Sequence, residues 1–318
     1  MEILKLKPVG KEYLWGGTKL KEEFSKNIDI MPLAETWECS VHNEGLSTVA
    51  EGKFKNKTLK EVLEKYPKYL GVNLQDKKEL PILVKLIDAK EDLSVQVHPD
   101  DFFAMQNENQ NGKSEMLYVI DASENSNLIL GYTKPVDASI LENAIKNNDL
   151  DKYLRKIPVK KGDCFYIPAG TIHAISSGSL VLEIAQNSNL TYRVYDYDRV
   201  DKTGNKRELN FDKAIKVMNM EEYLGYKKEP KKVYYDEFSI EKICDCEYFE
   251  VDKIDVFDSF SFIVDDKSFQ VIVCVDGEGQ IEYKKGVISL KKGDTVFIPA
   301  NAKKCKINGK MTLLKVKC

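Results

Sequence analysis

The stretch KKGDCFYIPAG at residues 160–170 recurs 131 positions later as KKGDTVFIPAN at residues 291–301. Seven of the eleven positions are identical, and an eighth keeps an aromatic side chain. Each copy has the pattern of a tight Gly-Asp turn, an apolar strand and a second turn that begins at Pro-Ala. A match of this length predicts two related β-modules in one chain.

The two copies differ in residues that can bind a metal. The first copy continues to His173, and the second has Lys304 at the same offset. An earlier strand also repeats, because EMLYVID at Glu115 resembles QVIVCVD at Gln270. Imidazole and carboxylate groups are common metal ligands, whereas a charged lysine has only donors. The pattern therefore predicts a metal site in the first module and a metal-free second module.

Outside the repeat, most of the chain is predicted to be β-structure with a few helices. Short apolar runs rich in β-branched residues are bounded by Gly, Asp, Asn or Pro, which is typical of a sandwich or barrel. The clearest runs are residues 80–87, 115–120, 180–185, 259–264 and 270–275. Three helices are predicted: one opened by a capping box at Thr58 and Glu61 and running toward Tyr69, one from Asp137 to about Leu154, and one from Phe211 to Leu224.

A charged segment suggests where the two modules join. KKEPKK at residues 227–232 has the composition of a solvated linker, with Pro230 as a breaker. The chain of 318 residues is long enough for about two domains. We therefore expect a first module over residues 1–230, which includes the helical insertions, and a second over residues 231–318.

Composition and charge exclude several classes of protein. The chain has 51 acidic and 48 basic residues, so it lacks the net positive charge for nonspecific electrostatic binding to nucleic acid. No apolar run approaches the roughly 20 residues of a membrane-spanning helix, and the start lacks a signal-peptide pattern. Seven scattered cysteines are typical of reduced cytosolic thiols, and Cys244 and Cys246 are predicted to share one face of a strand. We expect a cytoplasmic protein with neither nucleic-acid nor membrane partners.

Two of the three histidines have neighbours with ligand spacing. Gln96 and His98 are two residues apart and share a face if they lie on a strand, His173 follows the Pro-Ala-Gly turn, and Glu115 opens a strand between them. Two imidazoles, a carboxylate and an amide oxygen leave room for water or substrate, as in an open catalytic Zn²⁺ site. His42 has no such neighbour and is predicted to be an ordinary satisfied histidine.

These motifs carry a resemblance to a known family. Gly162-x5-Pro168-x-Gly170-x2-His173 resembles the second cupin motif. The chain also resembles the type I mannose-6-phosphate isomerase family, in its shorter bacterial branch, over nearly its whole length. The segments that carry this resemblance are YLWGG (13–17), AETWE (34–38), LSVQVHPDD (93–101), GKSE (112–115), PAGTIHAI (168–175) and NLTYRVYDYDR (189–199). The resemblance implies a mainly β fold of two cupin-type jelly-roll modules with a few helices.

The resemblance also implies an activity and a set of site residues. The expected enzyme is a cytoplasmic, metal-dependent aldose-ketose isomerase, a monomer or homodimer, that interconverts mannose 6-phosphate and fructose 6-phosphate through a cis-enediol(ate). One Zn²⁺ per chain is implied, with the ligands Gln96, His98, Glu115 and His173. The implied catalytic residues are Arg193, Lys113 and Glu183. The implied substrate-binding residues are Lys85 and Trp15.

Several alternatives remain open at this point. The general base can be Lys113, Glu183 or a water on the metal. Glu183 and Arg193 lie in strand-like segments where an unpaired charge is costly, so they can instead form a structural ion pair. Two histidines and one carboxylate also resemble the Fe(II) triad of oxygenases. A sugar-binding regulatory module without turnover is a further alternative.

Overall fold

The computed structural model describes residues 1–77, 79–225 and 231–318. The predicted linker therefore lies outside the described residues as far as residue 230. In chain order the strands are β1 Leu4–Lys7, β2 Val9–Lys11, β3 Glu35–Cys39, β4 Thr48–Val49, β5 Ile82–Ala89, β6 Val95–Val97, β7 Glu115–Ala122, β8 Asn127–Tyr132, β9 Leu154–Pro158, β10 Cys164–Ile167, β11 His173–Ile175, β12 Ser179–Gln186, β13 Tyr192–Tyr195, β14 Lys232–Tyr234, β15 Phe238–Asp245, β16 Glu250–Val256, β17 Ser259–Val264, β18 Gln270–Tyr283, β19 Gly286–Lys291, β20 Thr295–Ile298 and β21 Lys303–Lys317.

The helices are few and short, and all three predicted starts are confirmed, two of them by their caps. The α-helices are α1 Lys19–Glu22, α2 Leu59–Lys65, α3 Asp101–Glu108, α4 Ala138–Lys146 and α5 Phe211–Val217. Single 3₁₀ turns cover Pro67–Tyr69, Val72–Leu74 and Leu150–Lys152. Thr58 and Glu61 form the predicted capping box of α2, and the Asp137 side chain accepts a hydrogen bond from the Ile140 backbone at the start of α4.

The predicted helix ends are wrong, each for a local reason. Helix α2 stops before Pro67, since the residue before a proline avoids the helical region. Helix α4 stops at Lys146 and not near Leu154, because Asn148 adopts a left-handed conformation with φ of 58°. Helix α5 ends at Val217, where Met218 becomes extended and the Asn219 amide donates to the Gly170 carbonyl.

The strands form three antiparallel sheets among the described residues. A six-stranded sheet has the order β10-β7-β12-β5-β3-β2, and a five-stranded sheet has the order β13-β6-β11-β8-β9. The third sheet has ten strands, in which β14-β15-β16-β21-β18-β20-β1-β4 run in order, β17 pairs with β21, and β19 pairs with β18. Strand β1 pairs with β20, so this sheet draws strands from both predicted modules.

The internal repeat is also a repeat in space. Gly162 and Gly293 occupy the same turn, with φ of 92° and 90°, where glycine is favoured. The carboxylate of Asp163 accepts from the Lys160 backbone at 3.0 Å, and the carboxylate of Asp294 accepts from the Lys291 backbone at 3.0 Å. The two copies thus build the same turn before strands β10 and β20.

Each module has its own interior, and the two modules pack back to back. Strands β7 and β12 turn Leu117 and Val181 toward Leu130 of the five-stranded sheet, inside the first module. Their other face joins residues of the C-terminal sheet in a shared core that includes Val273 and Leu314. Successive side chains of a strand point to opposite faces of the sheet, so one strand contributes side chains to both cores.

Two further features bear on the sequence predictions. Cys244 is buried in strand β15, and Cys246 lies one residue beyond the end of that strand and is half-buried; both side chains contact the same shared core, as expected of residues on one face. No helix in the part of the chain that the structure describes is long and apolar enough to span a membrane.

Candidate metal centre and active site

Three separate strands bring the predicted metal ligands together at one end of the first module. Gln96 lies in β6, and His98 follows that strand directly. Glu115 begins β7, and His173 begins β11, where it pairs with Gln96 in the strand register. Ligand atoms of His98, Glu115 and His173 all lie within 4.8 Å of one another, and all three residues are buried.

Hydrogen bonds orient both imidazole rings toward this point. Nδ1 of His98 lies 2.8 Å from the Leu190 carbonyl oxygen, and Nδ1 of His173 lies 2.9 Å from that of Thr171. A carbonyl oxygen only accepts, so Nδ1 of each ring donates to it and Nε2 is the atom turned toward Glu115. The Nε2 atoms of His98 and His173 lie 3.5 and 3.2 Å from the two Glu115 carboxylate oxygens. This donor set fits a metal ion.

Gln96 completes the predicted set. Its amide lies 3.4 Å from Nε2 of His173. A half-turn about its last torsion exchanges the amide nitrogen and oxygen, which brings a neutral oxygen ligand to the cluster.

Burial and charge hold the cluster in a state that suits cation binding. Burial, together with the Lys113 ammonium, lowers the pKa of His98 to about 4, so the ring is neutral near pH 7. Burial raises the pKa of Glu115, but Lys113 and His173 outweigh burial. The pKa of Glu115 therefore lies well below its usual value. A neutral imidazole and an ionised carboxylate are the forms that ligate metals.

Beside the cluster runs a buried chain of alternating charges. Lys113 Nζ lies 2.6 Å from Glu115 Oε2 and 3.1 Å from Glu183 Oε1. Lys85 Nζ lies 3.5 Å from Glu183 Oε1 and 3.6 Å from Glu35 Oε2. Burial lowers the pKa of Lys85, but Glu183 and Glu35 outweigh burial and raise it. The charge on Glu183, predicted to need a partner, is thus balanced by two lysines.

The cluster and this chain of charges face a cavity of about 300 Å³. Trp15 lines one wall and stacks on Tyr13, with ring centroids 5.3 Å apart. Lys85, Lys113, Glu183 and Gln96 also line the cavity. A volume of this size suits a small ligand.

Arg193 lines the same cavity but does not pair with Glu183. Its Nε donates to Ser94 Oγ at 3.2 Å, and its Nη1 donates to the Glu208 carbonyl oxygen at 3.0 Å. Among the described residues, its Nη2 has no hydrogen-bond partner. Burial, with nearby Arg207, lowers the pKa of Arg193. The alternative of a Glu183–Arg193 ion pair is therefore wrong.

Arg207 is a cavity residue that the sequence did not single out for a role. Its Nε and Nη2 bind the two carboxylate oxygens of Asp196, at 2.7 and 2.5 Å, and its side chain also lines the cavity. Arginine is rare in this chain, and that rarity was the only signal. Arg199 also binds Asp196 but does not line the cavity; its other contacts are the Asp92 carbonyl oxygen and the Tyr197 ring.

Other residues at the cavity come from predicted motifs but were not assigned a role. Glu35 belongs to the AETWE segment and Tyr13 to the YLWGG segment. Asn189 binds Lys85 Nζ through its side-chain oxygen at 3.0 Å. His42 lies edge-on to Trp37 with ring centroids 5.6 Å apart and is not part of the metal cluster.

The fold and the site define a cupin protein with two modules, of which the first carries a buried His-Glu-His cluster facing a polar cavity. Residues 3–127 match the catalytic domain of type I phosphomannose isomerase, and residues 239–318 match the cupin domain of mannose-6-phosphate isomerase. The chain belongs to the type I phosphomannose isomerase family, and it is an enzyme of the isomerase class.

Individual relatives are similar to this chain along nearly its full length. The mannose-6-phosphate isomerase ManA of Bacillus subtilis is 37% identical over 97% of this chain and 96% of its own. The mannose-6-phosphate isomerase of Streptococcus mutans is 33% identical over 95% of this chain and 93% of its own. The crystal structure of a mannose 6-phosphate isomerase from Bacillus subtilis superposes with a TM-score of 0.92, at 38% identity and 99% coverage of both chains. A phosphomannose isomerase from Salmonella typhimurium, 18% identical with a TM-score of 0.78 and 99% coverage of both chains, shares the fold.

Proposed function

We propose that this chain interconverts mannose 6-phosphate and fructose 6-phosphate by moving a proton between C2 and C1 of the open-chain sugar. The observation that carries the proposal is the single cavity into which Gln96, Lys113, Glu183 and Arg193 all project, beside the His-Glu-His cluster. The names of the relatives support the choice of substrate. A coupled assay that follows fructose 6-phosphate formed from mannose 6-phosphate tests it.

We place the metal in the first module only. Gln96, His98, Glu115 and His173 would hold one ion, and nitrogen and oxygen donors with an open position suit Zn²⁺. When bound, Zn²⁺ supplies Lewis-acid stabilisation of negative charge on nearby sugar oxygens. We assign catalysis to residues 1–230 and no metal to residues 231–318.

The proton transfer needs a base on the cavity wall, and the geometry favours Glu183. Lys113 lies between two carboxylates, and an ammonium group has three donors and no acceptor. The Glu183 carboxylate lines the cavity, so it can take the proton from C2, exchange it with water and return a proton to C1. The C2–H electrons form the C1–C2 double bond, and the carbonyl electrons move to O1. The reaction closes when a proton passes from O2 to O1.

Arg193 and Lys113 have the charge that the intermediate requires. An enediolate places negative charge on its oxygens, and fixed donors in a buried site stabilise such charge strongly. The free Nη2 of Arg193 is available for this role. Trp15 and Lys85 are proposed to hold the sugar, with the indole as a wall and the ammonium beside Asn189 as a donor.

We propose that Arg207 binds the phosphate, because its guanidinium lies at the cavity and its Nη1, which the two-point contact with Asp196 does not use, can donate a charged hydrogen bond to a phosphate oxygen. Arg207→Ala is expected to raise KM for mannose 6-phosphate about 10- to 100-fold, the effect of losing a charged hydrogen bond, with a smaller change in kcat. Steady-state kinetics measure both constants.

Arg199→Ala is the matched control for this experiment. Arg199 shares the Asp196 partner but lies outside the cavity lining. Its KM should stay near the native value. An equal rise in KM in both variants would show that the Asp196 cluster acts only by holding the loop, and it would refute the phosphate assignment.

A further inference from the structure

The C-terminal module has a cup at the position that the metal centre occupies in the first module. Strand register defines the correspondence: Glu115 pairs with Ile167, and Gln270 pairs with Ile298 of the second copy. The backbone amide of Gly170 donates to His98, and that of Asn301 donates to Asp265. Gln270 and Asp265 thus replace Glu115 and His98.

The charged pair beside the metal cluster also has a counterpart, with the charges exchanged. In the first module, Glu183 of β12 lies opposite Lys85 of β5. In the second, Lys315 of β21 lies opposite Asp252 of β16, and the two side chains form an ion pair of 2.9 Å. Lys315 has the same strand position relative to Gln270 as Glu183 has relative to Glu115. Asp252 corresponds in the same way to Lys85.

This second cup is an open cavity of about 510 Å³, within the range of small-molecule sites. Gln270 is 8% exposed and lines the cavity, and its buried Oε1 has no hydrogen-bond partner among the described residues. A buried amide oxygen without a partner is costly, so the position favours a ligand that donates a hydrogen bond.

The charges of the cup indicate the class of ligand. Lys315 and Lys317 line the cavity, but each is already paired, with Asp252 at 2.9 Å and with Glu250 at 3.0 Å. The remaining charged lining residues are Asp245, Glu247, Asp265 and Lys267, which leaves no surplus of positive charge for a phosphate. Paired carboxylates and ammoniums offer acceptors and donors side by side, the combination that a hydroxyl group uses fully.

We propose that the cup of the C-terminal module is a second binding site, which takes an uncharged sugar through its hydroxyl groups and needs no metal. The unpaired Gln270 Oε1 accepts from one hydroxyl. Other hydroxyl groups can bind to three charged side chains that also line the cavity, Lys315, Lys317 and Glu250. The site is separate from the catalytic cavity, because the two cavities share no lining residue.

The test is sugar binding to the full-length protein, measured by saturation-transfer NMR with D-mannose and D-fructose as probes. The native protein is expected to bind at least one of them, with a Kd of about millimolar order, as for a small ligand with a few hydrogen bonds. Gln270→Leu should weaken that binding at least about 10-fold. It should leave the melting temperature and the isomerase kcat/KM close to native values.

Gln96→Leu is the matched control, because it makes the same change at the first cup. Sugar binding that survives Gln96→Leu and is lost in Gln270→Leu supports the second site. Binding lost in Gln96→Leu but retained in Gln270→Leu, or no binding of either sugar by the native protein, would overturn the proposal.

Discussion

His173→Ala is expected to abolish the metal content of the purified protein and to lower kcat/KM for mannose 6-phosphate by at least about 10³-fold, since Lewis-acid stabilisation is worth several kcal/mol. The ring of His173 is oriented by the Thr171 carbonyl and lies 3.2 Å from Glu115. Removing it deletes one of two nitrogen ligands and leaves a cavity that the carboxylate cannot fill. Elemental analysis measures the metal, and a coupled assay measures the rate.

Lys304→Ala provides the control, because Lys304 stands at the equivalent position of the second module. It should keep one metal per chain and the native rate. If the native protein held two metals and the His173→Ala protein kept one of them, the assignment of a metal-free C-terminal module would be wrong.

Arg193→Ala is expected to lower kcat by about 10²–10³, with full metal content and a nearly native KM, as for removal of one donor that acts on developing charge. The structure supports an effect on kcat and not on metal content. The guanidinium faces the cavity and is held by Ser94 and the Glu208 carbonyl, away from Glu183. Arg193→Lys should recover only part of the loss, since an ammonium lacks the planar fork.

The melting temperature of Arg193→Ala separates catalysis from structure. A purely structural arginine would give a lower melting temperature and an intact kcat. An intact kcat would contradict the catalytic assignment, whatever happens to stability.

The predictions that came from local patterns were confirmed most fully. The repeated Gly-Asp turns, the strand at Glu115 and the caps at Thr58 and Asp137 depend on residues a few positions apart. The cluster of His98, Glu115 and His173 was also predictable, because the second cupin-like motif fixes His173 and strand spacing links Gln96 to His98.

What the sequence could not predict depends on pairing between distant strands. Glu35 meets Lys85 because β3 lies beside β5, and no local pattern connects residues so far apart. Arg207 reaches the cavity through Asp196 on a loop whose path has no periodicity. The end of α4 was missed for a local reason, because a single left-handed asparagine, Asn148, outweighs the helical pattern that continues beyond it.

The central claim is that the cavity of the first module transfers a proton between C2 and C1 of a hexose 6-phosphate with a metal bound. NMR of mannose 6-phosphate in D₂O tests it most directly, with the native protein, the chelator-treated protein and the chelator-treated protein supplied with Zn²⁺. The account predicts fructose 6-phosphate carrying solvent deuterium at C1 with the native and zinc-restored samples, and neither product nor exchange with the chelated one. Product and exchange at the native rate in the chelated sample, or no exchange in any sample, would contradict it.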